Sequence, residues 1–196
     1  MLNIKQKILT KRLVLRPLDK GDFYAWQQNR LTRLSPNGKF DIGPKSEKEC
    51  TAGEFKKKLA FFYQTQAKQD KMYVLCVFLR SSGEMIGQID LLTVCRRDRQ
   101  VANLGYAIHN QFWAKGSGKE AALGGIQFAF LYLGFHRLEA ITDRGNLRSI
   151  RLAKAIGMKP EDLKRKYLFE NGKWIDQLMY SVIPENIGMK AKHPTL

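Results

Sequence analysis

Leu104-Gly105-Tyr106-Ala107-Ile108-His109-Asn110-Gln111-Phe112-Trp113-Ala114-Lys115-Gly116-Ser117-Gly118-Lys119-Glu120-Ala121-Ala122 is the stretch on which the fold turns. Leu104 to Ile108 reads as a strand, Ser117 opens a long apolar helix pattern, and the glycines between them mark a tight strand-to-helix junction. The first turn of a helix has N–H groups without intrahelical partners, and its aligned peptide dipoles favour negative charge. Gly116 and Gly118 remove side chains that would block close approach, while Lys115 and Lys119 add mobile positive charge. The junction therefore reads as a plain turn or as a phosphate or diphosphate seat around Gly116 and Gly118, flanked by Lys115 and Lys119. It is not a P-loop, because no Gly-Lys-Ser/Thr follows Gly116 at the required spacing. A third glycine at the dinucleotide-fingerprint offset is missing too.

Downstream, Ser117 to Leu133 predicts a helix with small residues first (Ala121, Ala122, Gly124, Gly125), able to lie close against a strand or ligand. His136 to Asp143 reads as a strand. Asn146 caps a second helix that turns Ile150, Ala153 and Ile156 inward and stops at Gly157. Tyr167–Glu170 and Trp174–Ile183 flank Asn171-Gly172, a strong hairpin signal. Upstream, Arg12 to Leu18 reads as a strand and Asp19 to Arg30 as a short helix. Residues 32–45 read as loop, and Ser46 with Glu49 as a capping box opening a helix to Ala67. Met72–Leu79, Met85–Val94 and Val101–Ile108 follow as strands. The order β-α-α-β-β-β-α-β-α-β-β predicts an α/β (α+β) domain: a mostly antiparallel twisted sheet of about seven strands with about four helices. Residues 1–184 are expected to form a single domain and 185–196 a loose tail.

With 34 Lys+Arg against 18 Asp+Glu, the formal charge is +16. Clusters at Lys56-Lys57-Lys58, Arg96-Arg97-Asp98-Arg99, Lys164-Arg165-Lys166 and Lys190-Ala191-Lys192 are each a solvated face, but their summed field draws in anions. A polyphosphate cosubstrate, RNA or ribosome surface, and acidic protein all fit. No apolar run reaches membrane-spanning length, and the basic N-terminus has no secretory pattern. Cys50, Cys76 and Cys95 read as free thiols; with three scattered His and no CxxC, no metal site is expected. These features predict a reduced, cytoplasmic protein, monomer or homodimer, without membrane attachment.

The element order, with Gly116-Ser117-Gly118 between a strand and a helix, resembles the GNAT superfamily of acetyl-CoA-dependent N-acetyltransferases, most closely its RimJ/RimL-like branch. The resemblance spans residues 10–183. It rests on Leu104-Gly105-Tyr106-Ala107-Ile108 with Phe112-Trp113-Ala114-Lys115-Gly116, on Asn146-Leu147-Arg148-Ser149-Ile150 with Ala155-Ile156-Gly157-Met158, and on the Asn-Gly hairpin ending in Asp176 and Met179-Tyr180. It implies that strand 101–108 and strand 136–143 diverge after Tyr106, leaving backbone groups near Ala107, Ile108 and His109 for the pantetheine arm of acetyl-CoA. The diphosphate would rest on residues 114–119. Asn146 would bond a pantetheine amide, serve as a helix cap, or do both.

The resemblance further implies direct attack of a neutral amine on the thioester, with Ser149 protonating the departing thiolate. The strand position where many relatives carry Glu holds Asn103, which takes no proton, and the hairpin position where some relatives carry Glu holds Leu168. Asp90, Asp176 and Glu161 are the remaining carboxylates; Asp90 is taken as the catalytic candidate. An α-amine has a pKa of about 7.7–8.0 and lysine about 10.4, so a weak base suits a protein or peptide N-terminus, such as one presented on the anionic ribosome, better than lysine. Two other readings stand beside this one: a CoA- or RNA-binding module without turnover, its nucleic-acid contact nonspecific, and an acetyltransferase of small anionic or neutral amines.

Overall fold

The computed structural model describes residues 6–191, apart from the side chains of residues 63 and 64. Eight strands form one sheet: β1 (Ile8–Leu9), β2 (Leu13–Arg16), β3 (Met72–Leu79), β4 (Met85–Cys95), β5 (Val101–Ile108), β6 (Arg137–Asp143), β7 (Lys159–Glu170) and β8 (Lys173–Val182). Their order is β1-β2-β3-β4-β5-β6-β8-β7. The pairing is antiparallel throughout except between β5 and β6, which run parallel. Four α-helices flank it: α1 (Phe23–Leu31), α2 (Ala52–Lys58), α3 (Ser117–Leu131) and α4 (Leu147–Ala155). The eighth strand, unforeseen in the sequence, is the two-residue β1.

Both faces of the sheet are covered around β3, whose central six residues are all buried, as its unbroken apolar run requires. On one face α3 packs over Leu13, Leu15, Ile89, Leu91 and Leu104 in the main core. Its close approach depends on glycine: a Cβ at Gly125 would stand 2.6 Å from Ile89 Cγ2. On the other face α1 and α2 bury Trp26 and Phe55 against Cys76, Phe78 and Met85.

The helix expected from Ser46 to Ala67 is broken up. Ser46 and Glu49 do form the capping box, but around a single turn, Glu47–Glu49. Thr51 caps α2, accepting from the Glu54 N–H, and α2 runs on into a π-helical stretch, Leu59–Gln66. β7 is longer than the four residues expected, because 159–166 are mostly polar and mostly exposed on this edge strand and show no alternation to read. The expected loose tail is corrected over residues 185–191. Pro184–Ile187 form a turn, Met189 N–H donates to Pro184 O at 2.9 Å, and Ile187 and Met189 pack on the core. Residues 192–196 of that tail lie outside the described residues. Among the described residues no helix is long and apolar enough to cross a membrane.

Candidate active site

β5 is paired along its whole length with β4, from Val101↔Cys95 to Ile108↔Gly87. With β6 it pairs only at Val101↔Arg137, Ala102↔Leu138 and Asn103↔Glu139. The two parallel strands therefore part after Asn103, three positions earlier than the family pattern led us to expect. The antiparallel register then decides which groups face the gap. His109 N–H donates to Ile86 O at 3.0 Å, which makes His109, Ala107 and Gly105 the residues whose backbone groups point to β4. Leu104, Tyr106 and Ile108 point the other way, into the gap. This corrects the expectation at Ala107 and His109, whose backbone groups are committed to β4. Ile108 faces the gap, and its carbonyl accepts from Trp113 Nε1 at 2.6 Å. His109 itself is buried and meets Asn29 Nδ2 at 3.0 Å. Burial, then the Arg33 and Arg30 charges, lower its pKa to about 3.

At the mouth of the gap, Gly116 takes a left-handed conformation (φ +77°) and caps α3, whose first backbone bond is Glu120 N–H to Gly116 O at 3.1 Å. The N–H groups of Ser117, Gly118 and Lys119 precede that bond and form the open end of the helix. Ala114 is left-handed as well (φ +59°). Lys115 and Lys119 are exposed, and Ser117 is buried. Sequence reading missed Arg12: its guanidinium donates to Lys115 O and, in an ion pair, to Glu120 Oε2, both at 2.7 Å, and so ties the loop to the first turn of α3. No local motif points to it, since its partners lie more than a hundred residues away.

Across the gap, Asn146 caps α4 by accepting from Ser149 N–H at 3.1 Å. Ser149 Oγ stands 3.0 Å from the Tyr106 hydroxyl, which also reaches Ser149 O at 3.1 Å. Gap-side strand and helix are thus bridged by two hydroxyls. Burial raises the Tyr106 pKa, against a smaller opposing effect of Ser149, so the phenol stays protonated. Arg148 stacks on Trp113 at 4.0 Å, closing one side of the mouth.

Asp90 lies on the opposite face, that of α1 and α2, where it pairs with Gly105. Gly105 makes room: a Cβ there would meet Asp90 Cβ at 3.4 Å and Oδ2 at 3.5 Å. Burial raises the Asp90 pKa, and only the Gln88 amide, at 3.0 and 3.1 Å from its oxygens, opposes the shift. Asn103 Oδ1 is buried without a partner. Glu161 is tied up by Arg137 and Ser181, and Asp176 by Lys166 N–H at 2.9 Å. The loop 32–45 is anchored by several elements. Asn110 Nδ2 holds it through Ser35 O and Asp41, both at 2.9 Å, Arg148 through Asn37 O at 3.1 Å, and Lys39 pairs with Glu170 at 2.8 Å. Among the described residues no His/Cys/Asp/Glu cluster could hold a metal ion.

The site is thus a parallel strand pair that opens beside a glycine-capped helix N-terminus. Residues 12–159 match the Acetyltransferase (GNAT) domain, and the chain belongs to that family. It is an N-acetyltransferase by that membership and by its relatives' names. The Bacillus subtilis "Probable N-acetyltransferase YjcK" is 31% identical over 121 residues, 62% of this chain and 67% of its own. The Escherichia coli [Ribosomal protein uS5]-alanine N-acetyltransferase is 26% identical, covering 89% of each chain. Mycobacterium smegmatis RimJ, solved in complex with CoA-disulfide, superposes with a TM-score of 0.73 over 91% of this chain and 85% of its own; at 22% identity it speaks to the fold alone.

Proposed function

We propose that this protein transfers acetyl from acetyl-CoA to the α-amine of a protein or peptide N-terminus, in the cytoplasm. The observation that carries the reading is the edge of β5 left open beyond Asn103, leading to the Gly116 loop. The open edge fits a pantetheine arm, which has amides to pair with it, and the first N–H groups of α3 with Lys115 and Lys119 suit a diphosphate. When bound, acetyl-CoA supplies the acyl group as a thioester.

The chain's own groups then have distinct tasks. Tyr106 and Ile108 offer backbone N–H groups along the gap, where one can stabilise an oxyanion. Ser149, backed by the Tyr106 hydroxyl, donates the proton to the leaving thiolate. Asp90 takes the proton of the incoming ammonium, and its burial, which raises its pKa, makes it a better base than a solvated carboxylate. Asn146 shapes the start of α4 and so positions Ser149. An α-amine, about a third neutral near pH 7.5, needs only modest help, whereas lysine needs a much stronger base. The +16 charge favours acceptors near anionic surfaces such as the ribosome.

Calorimetric titration with acetyl-CoA, followed by a thiol-release assay over peptides, proteins and small amines, tests this. The expected result is micromolar binding and turnover with free N-termini. Absence of binding at high micromolar acetyl-CoA would overturn the reading.

A further inference from the structure

The inward stripe of α1 runs Trp26, Asn29, Arg30 and, just past the helix end, Arg33, at the i, i+3, i+4, i+7 spacing of a buried helix face. Trp26 and Asn29 are buried, yet the stripe finishes in two half-buried arginines. Arg30 stacks on Trp26 at 4.7 Å, and its Nε is buried without a hydrogen-bond partner. Arg33 Nε donates to Asn29 O at 3.3 Å. From α2, half-buried Lys58 leans over Phe62 at 5.4 Å. Among the described residues none of the three forms an ion pair. The acids in their neighbourhood are engaged elsewhere: Asp41 with Asn37 and Asn110, Glu49 with Lys45 and Ser46, and Glu54 with Lys57.

A helix C-terminus explains cations at this end of α1. It does not explain half-burying three cations here with no ion pair of their own among the described residues. Burial lowers the pKa of Arg30, Arg33 and Lys58, and the charge of Arg30 pushes the other two the same way. Such a group is costly to maintain unless a counter-ion enters it.

Its place in the fold links it to the acceptor side of the gap. Trp26, on which Arg30 stacks, shares a core cluster with Cys76 on β3. Cys76 pairs with Gln88, and Gln88 with Ala107, in the row next to Asp90 and Gly105. Arg30 and Arg33 both bear on His109 at the end of β5. The same sheet face thus presents cations over one row and a carboxylate in the next. Resting on the acetyltransferase reading above, we propose that Arg30, Arg33 and Lys58 form a subsite for a carboxylate on the acceptor, whose amine is directed toward Asp90. The acceptor class is an amine carrying a nearby carboxylate, supplied either by acidic residues behind a peptide N-terminus or by a free amino acid.

The test uses full-length protein saturated with CoA, so that binding is read without turnover. The probes are Ser-Asp-Glu-Phe and Ser-Asn-Gln-Phe peptides, and free glutamate and glutamine, with inorganic phosphate and a short RNA as competitors. The acidic member of a pair should bind at least about tenfold more tightly, a gap of about 1.4 kcal/mol, and in turnover the gap should appear in KM. Preference in the peptide pair or in the amino-acid pair identifies the source, and either supports the subsite. Arg33→Gln and Lys58→Gln should shrink the ratio toward one, while Arg30→Lys, which keeps the charge, retains most of it. Acetyl-CoA affinity, measured on each variant, reports that the fold is intact. Equal binding of the acidic and amide probes, an unchanged ratio in Arg33→Gln, or stronger competition by phosphate or RNA than by carboxylates would each overturn the subsite. Failure of the wild-type protein to bind acetyl-CoA would instead overturn the acetyltransferase reading itself.

Discussion

One strand, β5, has two edges with opposite fates. Its β4 edge is paired from Val101 to Ile108 and extended by the His109–Ile86 bond, while its β6 edge is paired for three residues and then left open. The closed edge anchors the strand in the core, with Leu104 buried below α3 and Gly105 making room for Asp90. The open edge exposes amides that an extended ligand can pair with. A strand can be held rigidly and still offer a binding edge only when one side supplies the stability and the other the function.

The sharpest way to break this comparison is to damage the closed edge. A Cβ at Gly87 would stand 2.2 Å from the Ala107 carbonyl oxygen, a backbone atom that cannot step aside. Gly87→Ala should therefore destabilise the protein by roughly 3 kcal/mol or more, read as a lower urea midpoint. A loss below about 1 kcal/mol would show that the β4 edge is not the rigid side.

The remaining predictions sharpen the open side. Ser149→Ala should lower kcat on the order of 10²-fold with little change in acetyl-CoA affinity, since it removes a proton donor rather than a binding contact; unchanged turnover would refute its acid role. Gly118 has no crowding, because a Cβ there would meet Leu152 and Ile108 only at 3.7 and 4.0 Å. Gly118→Ala should leave stability within about 1 kcal/mol of wild type and weaken acetyl-CoA binding by about tenfold, close to 1.4 kcal/mol. Unaltered affinity would mean that the carrier does not approach the loop closely.

The smallest effect belongs to His109 at the end of the closed edge. Its folded pKa of about 3 lies below the usual 6.5, so the unfolded chain binds the proton first as pH falls. Its contribution is complete above the unfolded value and declines as pH drops from there toward the folded one. Between pH 7 and 6 the loss should be about 0.7 kcal/mol. Urea unfolding at the two pH values should show it, and His109→Gln should flatten it.

Much of the fold was legible because its signals are local. The Gly116 loop, the Asn146 cap and the Asn171-Gly172 hairpin each follow from a few adjacent residues, and Asn171 and Gly172 do adopt the positive φ that the turn needs. What could not be read depends on partners distant in the chain. Which alternate residues of β5 face the gap is set by its register with β4, so the sequence points to Ala107 and His109 although the backbone groups of Tyr106 are the ones turned to the gap. The Tyr106–Ser149 bridge, the Arg12 clamp and the anchoring of the loop 32–45 join segments with no shared motif. The cations of α1 are hidden differently: no local motif separates Arg30 from a solvated arginine, and its stacking on Trp26 exists only in the fold.

The most direct test of the account is residue-resolved amide hydrogen exchange along β5, with and without acetyl-CoA. Tyr106 and Ile108 should exchange quickly in the free protein and slow markedly when acetyl-CoA is added, while Ala107 and His109 stay protected in both states. Slow exchange at Tyr106 and Ile108 without acetyl-CoA, or no change on adding it, would contradict the claim that this open edge is where the carrier binds.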